Sequence, residues 1–272
     1  MDSKIKSHFK SKSVINIILT IVVALIMVRR IFIGDFYEAF LCGLTLVLFA
    51  IPQFLSKKLH VSLPMTLEVI ILLFIFASSI CGELGSFYTK IWWWDTMLHT
   101  LNGFLMAAIG FAMIDILNSL PKFHFNMSPV FVAFVVFCFS MTIGVLWEFF
   151  EFGMDYFTYT DMQNDRIVTV VSSVDFNPDG LNRQVVLDGI TSTTIHMGDG
   201  SAHIIEGGYL DIGIIDTMKD LFVNLIGAVV FSIIGVFYII GRNKGTFAKK
   251  FIPQYNAEDK KTADTDNATA QE

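Results

Sequence analysis

The sequence predicts an all-α polytopic membrane protein, with six transmembrane helices and a small β-rich extracytoplasmic insertion between helices five and six. Of its 272 residues 54% are hydrophobic and only 16% are charged, and the mean hydropathy is +0.61, more apolar surface than one soluble domain can bury. The charged residues are also confined: the first 13 residues hold 5, residues 153–215 hold 11 and the stretch from 241 holds 11 of the 44. Between them lie apolar runs of roughly 20 residues, the length that a hydrocarbon core about 30 Å thick demands of a helix satisfying its own backbone. This pattern excludes a disordered chain, a collagen-like chain and a disulfide-stapled secreted module. A net charge of -6, with no basic stripe beyond the membrane flanks, gives no reason to expect nucleic acid.

The elements follow in order. Residues 1–13 form a basic tail carrying Lys4, Lys6, Lys10 and Lys12. Val14 to Val28 then has the length of a signal-peptide core, but Arg29 and Arg30 follow it instead of a small-residue cleavage site, so it reads as a first span whose arginines snorkel to the interface. The second run, Phe36 to Leu55, bends or ends near Pro52. The third begins near Pro64, a suitable first-turn proline, and closes between Glu83 and Tyr88. The fourth covers Asp95 to Leu117, the fifth Ser128 to Asp155 and the sixth Asp216 to Ile240, so that residues 14–155 carry five spans and 216–240 the last. Cys42, Cys81 and Cys138 stand alone inside apolar runs, as small buried residues do.

Residues 156–215 form a loop far longer than the other connections. Its composition is β-like: Ile167 to Val171 is a β-branched run, Pro178-Asp179-Gly180 is a turn and Asp199-Gly200 is a hairpin signal. His196 and His203 flank that signal and read as exposed strand histidines in preference to a shared metal pair. Residues 241–272 lack apolar periodicity and read as a disordered tail with a basic, membrane-proximal start. Lysine and arginine counts orient the spans: with the N-terminus inside, 13 fall on inner segments against 5 on outer ones, Lys219 left aside. Both termini are therefore expected in the cytoplasm and the 156–215 loop outside.

An acidic group near mid-bilayer costs about 3 kcal/mol on insertion scales, so each one needs a reason. Asp95, His99 and Asn102 follow one another at i, i+4, i+7 and share a face of the fourth helix. Glu148, Glu151 and Asp155 do the same at the end of the fifth. Asp216, Asp220 and Asn224 open the sixth at steps of four, continued by Gly227, which lets a neighbouring helix approach closely. Glu83 ends the third. On the expected topology all of these lie near the outer surface. So many carboxylates around one imidazole demand proton uptake or a cation, and a divalent ion meets that demand: Mg²⁺ or Ca²⁺ on oxygens, or Zn²⁺ on His99 with two carboxylates. The competing reading is that the acids are hydrated at the interface, favoured at helix N-termini, or stitch helices together by hydrogen bonds. Glu68 and Asp115 lie toward the inner helix ends and read as solvated or hydrogen-bonded. Trp92, Trp93, Trp94 and Trp147 read as an interfacial aromatic belt.

Asp95-x-x-x-His99, the stretch Trp147-Glu148-Phe149-Phe150-Glu151 and Asp216-x-x-x-Asp220-x-x-x-Asn224-x-x-Gly227 resemble, in order and placement, three motifs of the YjdF-like membrane proteins and, more distantly, of the VanZ-like family. The resemblance covers about residues 60–240. It implies a small bacterial plasma-membrane protein, and VanZ-like members are associated with resistance to glycopeptide antibiotics of the teicoplanin type. Two features depart from the pattern: Glu151 stands where VanZ-like proteins often have Gln, and the outer loop is longer.

Three functions compete on the sequence alone. In the first, Asp95, Glu151, Asp216 and Asp220 hold a divalent cation, His99 and Glu148 act as acid and base or as further ligands, and Glu83, Asn102 and Asn224 contact the ligand. That site would bind or process a polar envelope ligand such as a lipid-linked phosphate, which bare carboxylates would repel. In the second, the chain is a scaffold recruiting an envelope partner through its β-rich loop. The third is a cation- or proton-coupled transporter, which needs a polar path continuing inward, where the fourth to sixth runs are almost wholly apolar. Membrane lipids are the one partner common to all three.

Overall fold

The computed structural model describes residues 2–58, 61–119, 127–241 and 254–255. Among them six helices are long and apolar enough to span a membrane, as expected. Helix α1 is Asp2–Phe32, α2 Phe36–Lys58 and α3 Met65–Phe76, which continues without a break as a π-helical segment, Ala77–Leu84. After the short α4, Phe87–Lys90, come α5, Trp94–Ser119, α6, Pro129–Thr158, and α7, Ile214–Ile240. Large apolar side chains such as Leu25, Phe32, Phe134 and Phe237 point outward, which suits a hydrocarbon solvent. The expected tail, residues 241–272, lies outside the described residues apart from Gly241 and strand β8, Gln254–Tyr255, which pairs antiparallel with β1, Val61–Ser62.

The chain divides into two compact units, Met1–Gly144 with Val223–Glu272, and Val145–Phe222. In the first, α1 and α2 form a hairpin locked at its turn. Arg30 Nε meets Glu38 Oε2 at 2.6 Å and Arg30 Nη1 lies 3.7 Å from Asp35, so this arginine is paired inside the hairpin. Helix α2 runs through the buried Pro52 to Lys58 instead of stopping there. One apolar cluster, Val23, Cys42, Phe49, Leu72 and Ile80, joins α1, α2 and α3. A second, built on Leu67, Leu105, Ala108, Phe111, Val136 and Phe231, joins α3, α5, α6 and α7. Glu68, expected to be solvated or hydrogen-bonded, is buried. The π segment closes with Gly85 N–H donating to Ile80 O at 2.9 Å, and Gly82 within it lies against the Tyr88 ring, whose hydroxyl is 3.1 Å from Ser78 Oγ.

The second unit holds the insertion, built as two-stranded antiparallel ribbons. Strand β2, Ile167–Val168, pairs with β7, Tyr209–Leu210; β3, Val170–Ser173, with β4, Val185–Asp188; and β5, Ser192–His196, with β6, Ala202–Glu206. The β-branched run breaks at Thr169, whose carbonyl accepts from Ile190 N–H. The turn at Pro178-Asp179-Gly180 is present, with Gly180 at φ +65° and its N–H donating to Asn177 O. The β5–β6 loop is one residue longer than an Asp199-Gly200 turn alone, because Met197 N–H still pairs with Ser201 O. Register then sets His196 opposite Ala202 and His203 opposite Ile195. The two histidines consequently point to opposite faces, and no metal can bridge them.

Candidate functional site

Within the first unit, the start of α5 places Asp95 and His99 one turn apart, and His99 Nε2 lies 3.3 Å from Asp95 Oδ1 with both side chains largely out of water. A carboxylate partner of this kind fixes the orientation of an imidazole. One turn deeper, Asn102 Nδ2 donates to Asn224 Oδ1 of α7 at 3.1 Å. Asn224 is fully enclosed, and three glycines let the helices approach closely around it. A Cβ on Gly103 would strike the Asn224 carbonyl, one on Gly227 would strike the Thr100 carbonyl, and one on Gly144 of α6 would sit 2.5 Å from Asn224 Nδ2. Ser140 of α6 seals the junction by donating to Gly103 O at 2.7 Å. Helices α5, α6 and α7 therefore meet at a knot of small residues around one buried amide pair.

Within the second unit, Glu148 and Glu151 are buried on the last turns of α6, and Trp147 Nε1 donates to Glu151 Oε1 at 2.8 Å. The exposure of Trp92, Trp93 and Trp147 agrees with an aromatic belt, but Trp147 also holds one of the acids in place. Asp155 turns away to the loop, accepting from Thr160 Oγ1, Met162 N and Gln163 N. At the start of α7, Asp211 accepts from Arg166 N, Gly213 N and Ile215 N and ties the insertion to the helix. Asp216 is buried under four donors: Arg166 Nη2 and Lys219 Nζ on Oδ1 at 3.1 and 3.2 Å, and Asn164 N and Nδ2 on Oδ2, both at 3.2 Å. With both oxygens engaged it anchors the 161–166 segment. Asp220, also buried, lies 3.3 Å from Lys219 Nζ.

The structure thus brings together Asp95 with His99, Asn102 with Asn224, and Asp216 with Lys219 and Asp220. It leaves Glu83 exposed at the end of the π segment. Sequence reading missed Arg166, Asn164 and Trp147 as donors that hold the acids. It offered Lys219 as a partial balance of their charge, and an acid precedes that lysine by three residues while another follows it directly.

A model of the family described as "Predicted membrane protein (DUF2238)" matches residues 14–241, all six spans included. The chain belongs to the DUF2238 family. It is similar to an uncharacterized protein of Thermotoga maritima, 31% identical over 105 residues, which are 38% of this chain and 52% of that protein, so the match spans about half of the relative's length. No solved structure matches the chain. For DUF2238, then, the chemistry has to be read from the side chains themselves. In this member, buried acidic and imidazole groups could hold a metal ion.

Proposed function

We propose that this chain is a multi-pass bacterial plasma-membrane protein whose buried carboxylates and imidazole form an outward-facing, cation-bearing site for a phosphate-bearing, lipid-linked ligand of the cell envelope. One observation carries the reading: the junction at Asn224, where Gly103 of α5 and Gly144 of α6 both abut the same residue of α7. A helix repeats its facing about every four residues, with about 5.4 Å of rise per turn. Four residues from each member of that junction, toward the same end of the bundle, stand His99, Glu148 and Asp220. Asp95 and Glu151 stand one further turn along their helices. Helix periodicity therefore supports one ligand stripe on each helix: His99 with Asp95 on α5, Glu148 with Glu151 on α6, and Asp220 in line with Asn224 on α7. An imidazole among carboxylates favours Zn²⁺ or a similar transition ion over Mg²⁺ and Ca²⁺.

On this reading Asp95, His99, Glu148, Glu151 and Asp220 supply the first ligands, Asp216 positions the loop, and Asn102 and Asn224 close the site from below. A cation held there would supply charge neutralisation and attraction for a phosphate, and whichever of His99 or Glu148 is not a ligand would serve as base. The envelope ligand rests on the likeness of the three motifs to YjdF-like and VanZ-like proteins together with the expected topology. Transport is disfavoured by the packing beneath Asn224, where Leu105, Ala108, Phe111, Val136 and Phe231 are buried in mutual contact. The test is metal analysis of detergent-purified protein dialysed against a weak chelator. Stoichiometric metal is expected in wild type and in Asp216→Asn, with loss in Asp220→Asn and His99→Ala. A folded wild type without metal would overturn the reading.

A further inference from the structure

Lys219 and Arg166 belong to no part of that ligand set, yet both reach into it. Arg166 Nη2 and Lys219 Nζ converge on the same oxygen, Asp216 Oδ1, at 3.1 and 3.2 Å, and Lys219 Nζ also lies 3.3 Å from Asp220 Oδ1. The four formal charges cancel. Burial is uneven, because the carboxylate side chains are 5% and 3% exposed whereas Lys219 is 27% and Arg166 46% exposed. The acids face inward and the two cations border solvent.

A divalent ion that takes Asp220 as a ligand brings a second cation to within a few ångströms of the Lys219 ammonium. Like charges at that range repel strongly at a largely buried site. The lysine stem is flexible and partly solvated, so the ammonium can leave. Once released, it stands beside Arg166, with which it shares Asp216, and this positive charge borders water. A guanidinium fork plus a mobile ammonium is the donor set that binds phosphate oxygens.

We propose that Lys219 is the resident counter-cation of Asp220, and that cation binding at Asp220 releases it to form, with Arg166, a binding site for a phosphate-bearing anion. This rests on the cation-bearing reading above. It makes binding ordered, cation first and anion second, and it explains why an acid-lined site would take a phosphate only when loaded.

The experiment uses the full chain in detergent, with Mn²⁺ as the cation and inorganic phosphate as the anion probe, both followed by calorimetry. Wild type loaded with Mn²⁺ and desalted is expected to bind phosphate at least about tenfold more tightly than the metal-free protein, the scale of one charge-assisted hydrogen bond. Lys219→Met should bind Mn²⁺ about tenfold more tightly, its competitor gone, and should lose the gain for phosphate, whereas Lys219→Arg keeps that gain. Equal phosphate affinity with and without Mn²⁺ in the wild type overturns the proposal and leaves the cation site standing. Unchanged or weaker Mn²⁺ binding by Lys219→Met overturns it too. A wild type that binds no cation removes both readings. A parallel arm in nanodiscs with and without phosphatidic acid separates the two sources: metal-dependent displacement of phosphate by the lipid assigns the site to a headgroup, and its absence assigns it to a soluble phosphate.

Discussion

Replacing Gly103 by alanine tests the junction on which the site stands. The added Cβ would lie 2.8 Å from the Asn224 carbonyl carbon and 3.1 Å from Ala228 N, closer still to the Asn224 carbonyl oxygen, where ordinary contact begins at 3.4 Å. All of these atoms are α7 backbone, so no rotamer change relieves the clash, and α5 and α7 must part by at least roughly 0.6 Å. The Asn102–Asn224 bond, 3.1 Å long, then stretches past the range in which it counts as a hydrogen bond. Overpacking of this kind costs about 1–3 kcal/mol and a lost interhelical bond about 1 kcal/mol, against roughly 1 kcal/mol returned by the better helix propensity of alanine. The net expectation is a loss of about 2 kcal/mol. Gly153→Ala is the control, since nothing lies within 4 Å of a Cβ there and only the propensity gain applies. Reversible unfolding in mixed detergent–SDS micelles measures both. A Gly103→Ala variant as stable as Gly153→Ala would refute the junction.

Two further outcomes follow from the second unit. Asp216→Asn removes the charge that holds Arg166 and Lys219 and turns an amide N–H₂ toward donors, so segment 161–166 should be cleaved several-fold faster by protease while bound metal is retained; loss of metal with an intact loop would return Asp216 to the ligand set. Asp165 has its carboxyl pushed above the ordinary range, first by burial and then by Asp161, Asp211 and Asp155. Because the folded chain holds that proton more tightly than the unfolded one, stability is gained as pH falls through the raised value and given back as pH rises. Asp165→Asn should therefore raise the thermal midpoint at pH 7, with the gap to wild type closing toward pH of about 4; a gap that does not vary with pH contradicts the assignment.

The spans were legible because their cause is local. Where charges are confined to a few segments, each apolar run of the right length has one stable form in a bilayer, and the candidate spans within the observed helices begin and end within a few residues of the charge boundaries. The one-sided stripes were legible for the same reason, since spacing fixes facing. Departures arose where the deciding interaction is non-local. The π segment at Ala77–Leu84 accompanies the packing of Tyr88 on Gly82, which no window of residues 77–84 reveals. The histidines of the β5–β6 hairpin changed faces because one extra loop residue shifts register by one. Asp216 and Asp220, alike in spacing and burial, differ in partners: the 161–166 segment folds back over Asp216 and supplies three of its four donors.

That difference bears on how an acidic membrane site is read at all. Face and depth are periodic properties and survive in the sequence, whereas whether a buried carboxylate is neutralised by donors or left for a cation depends on what the chain brings back from 50 residues away. The small-residue knot is the intermediate case. Gly103, Gly144 and Gly227 are visible in the sequence only as three glycines on three runs, yet the side chain they enclose, Asn224, sits one turn from Asp220 on a continuous helix. Beneath it the core is closed by phenylalanine, leucine and alanine. A floor backed by apolar packing favours holding an ion over passing it through. Gly103 is accordingly the residue at which stability and ion affinity should fall together, while the Asp216 anchor should separate them.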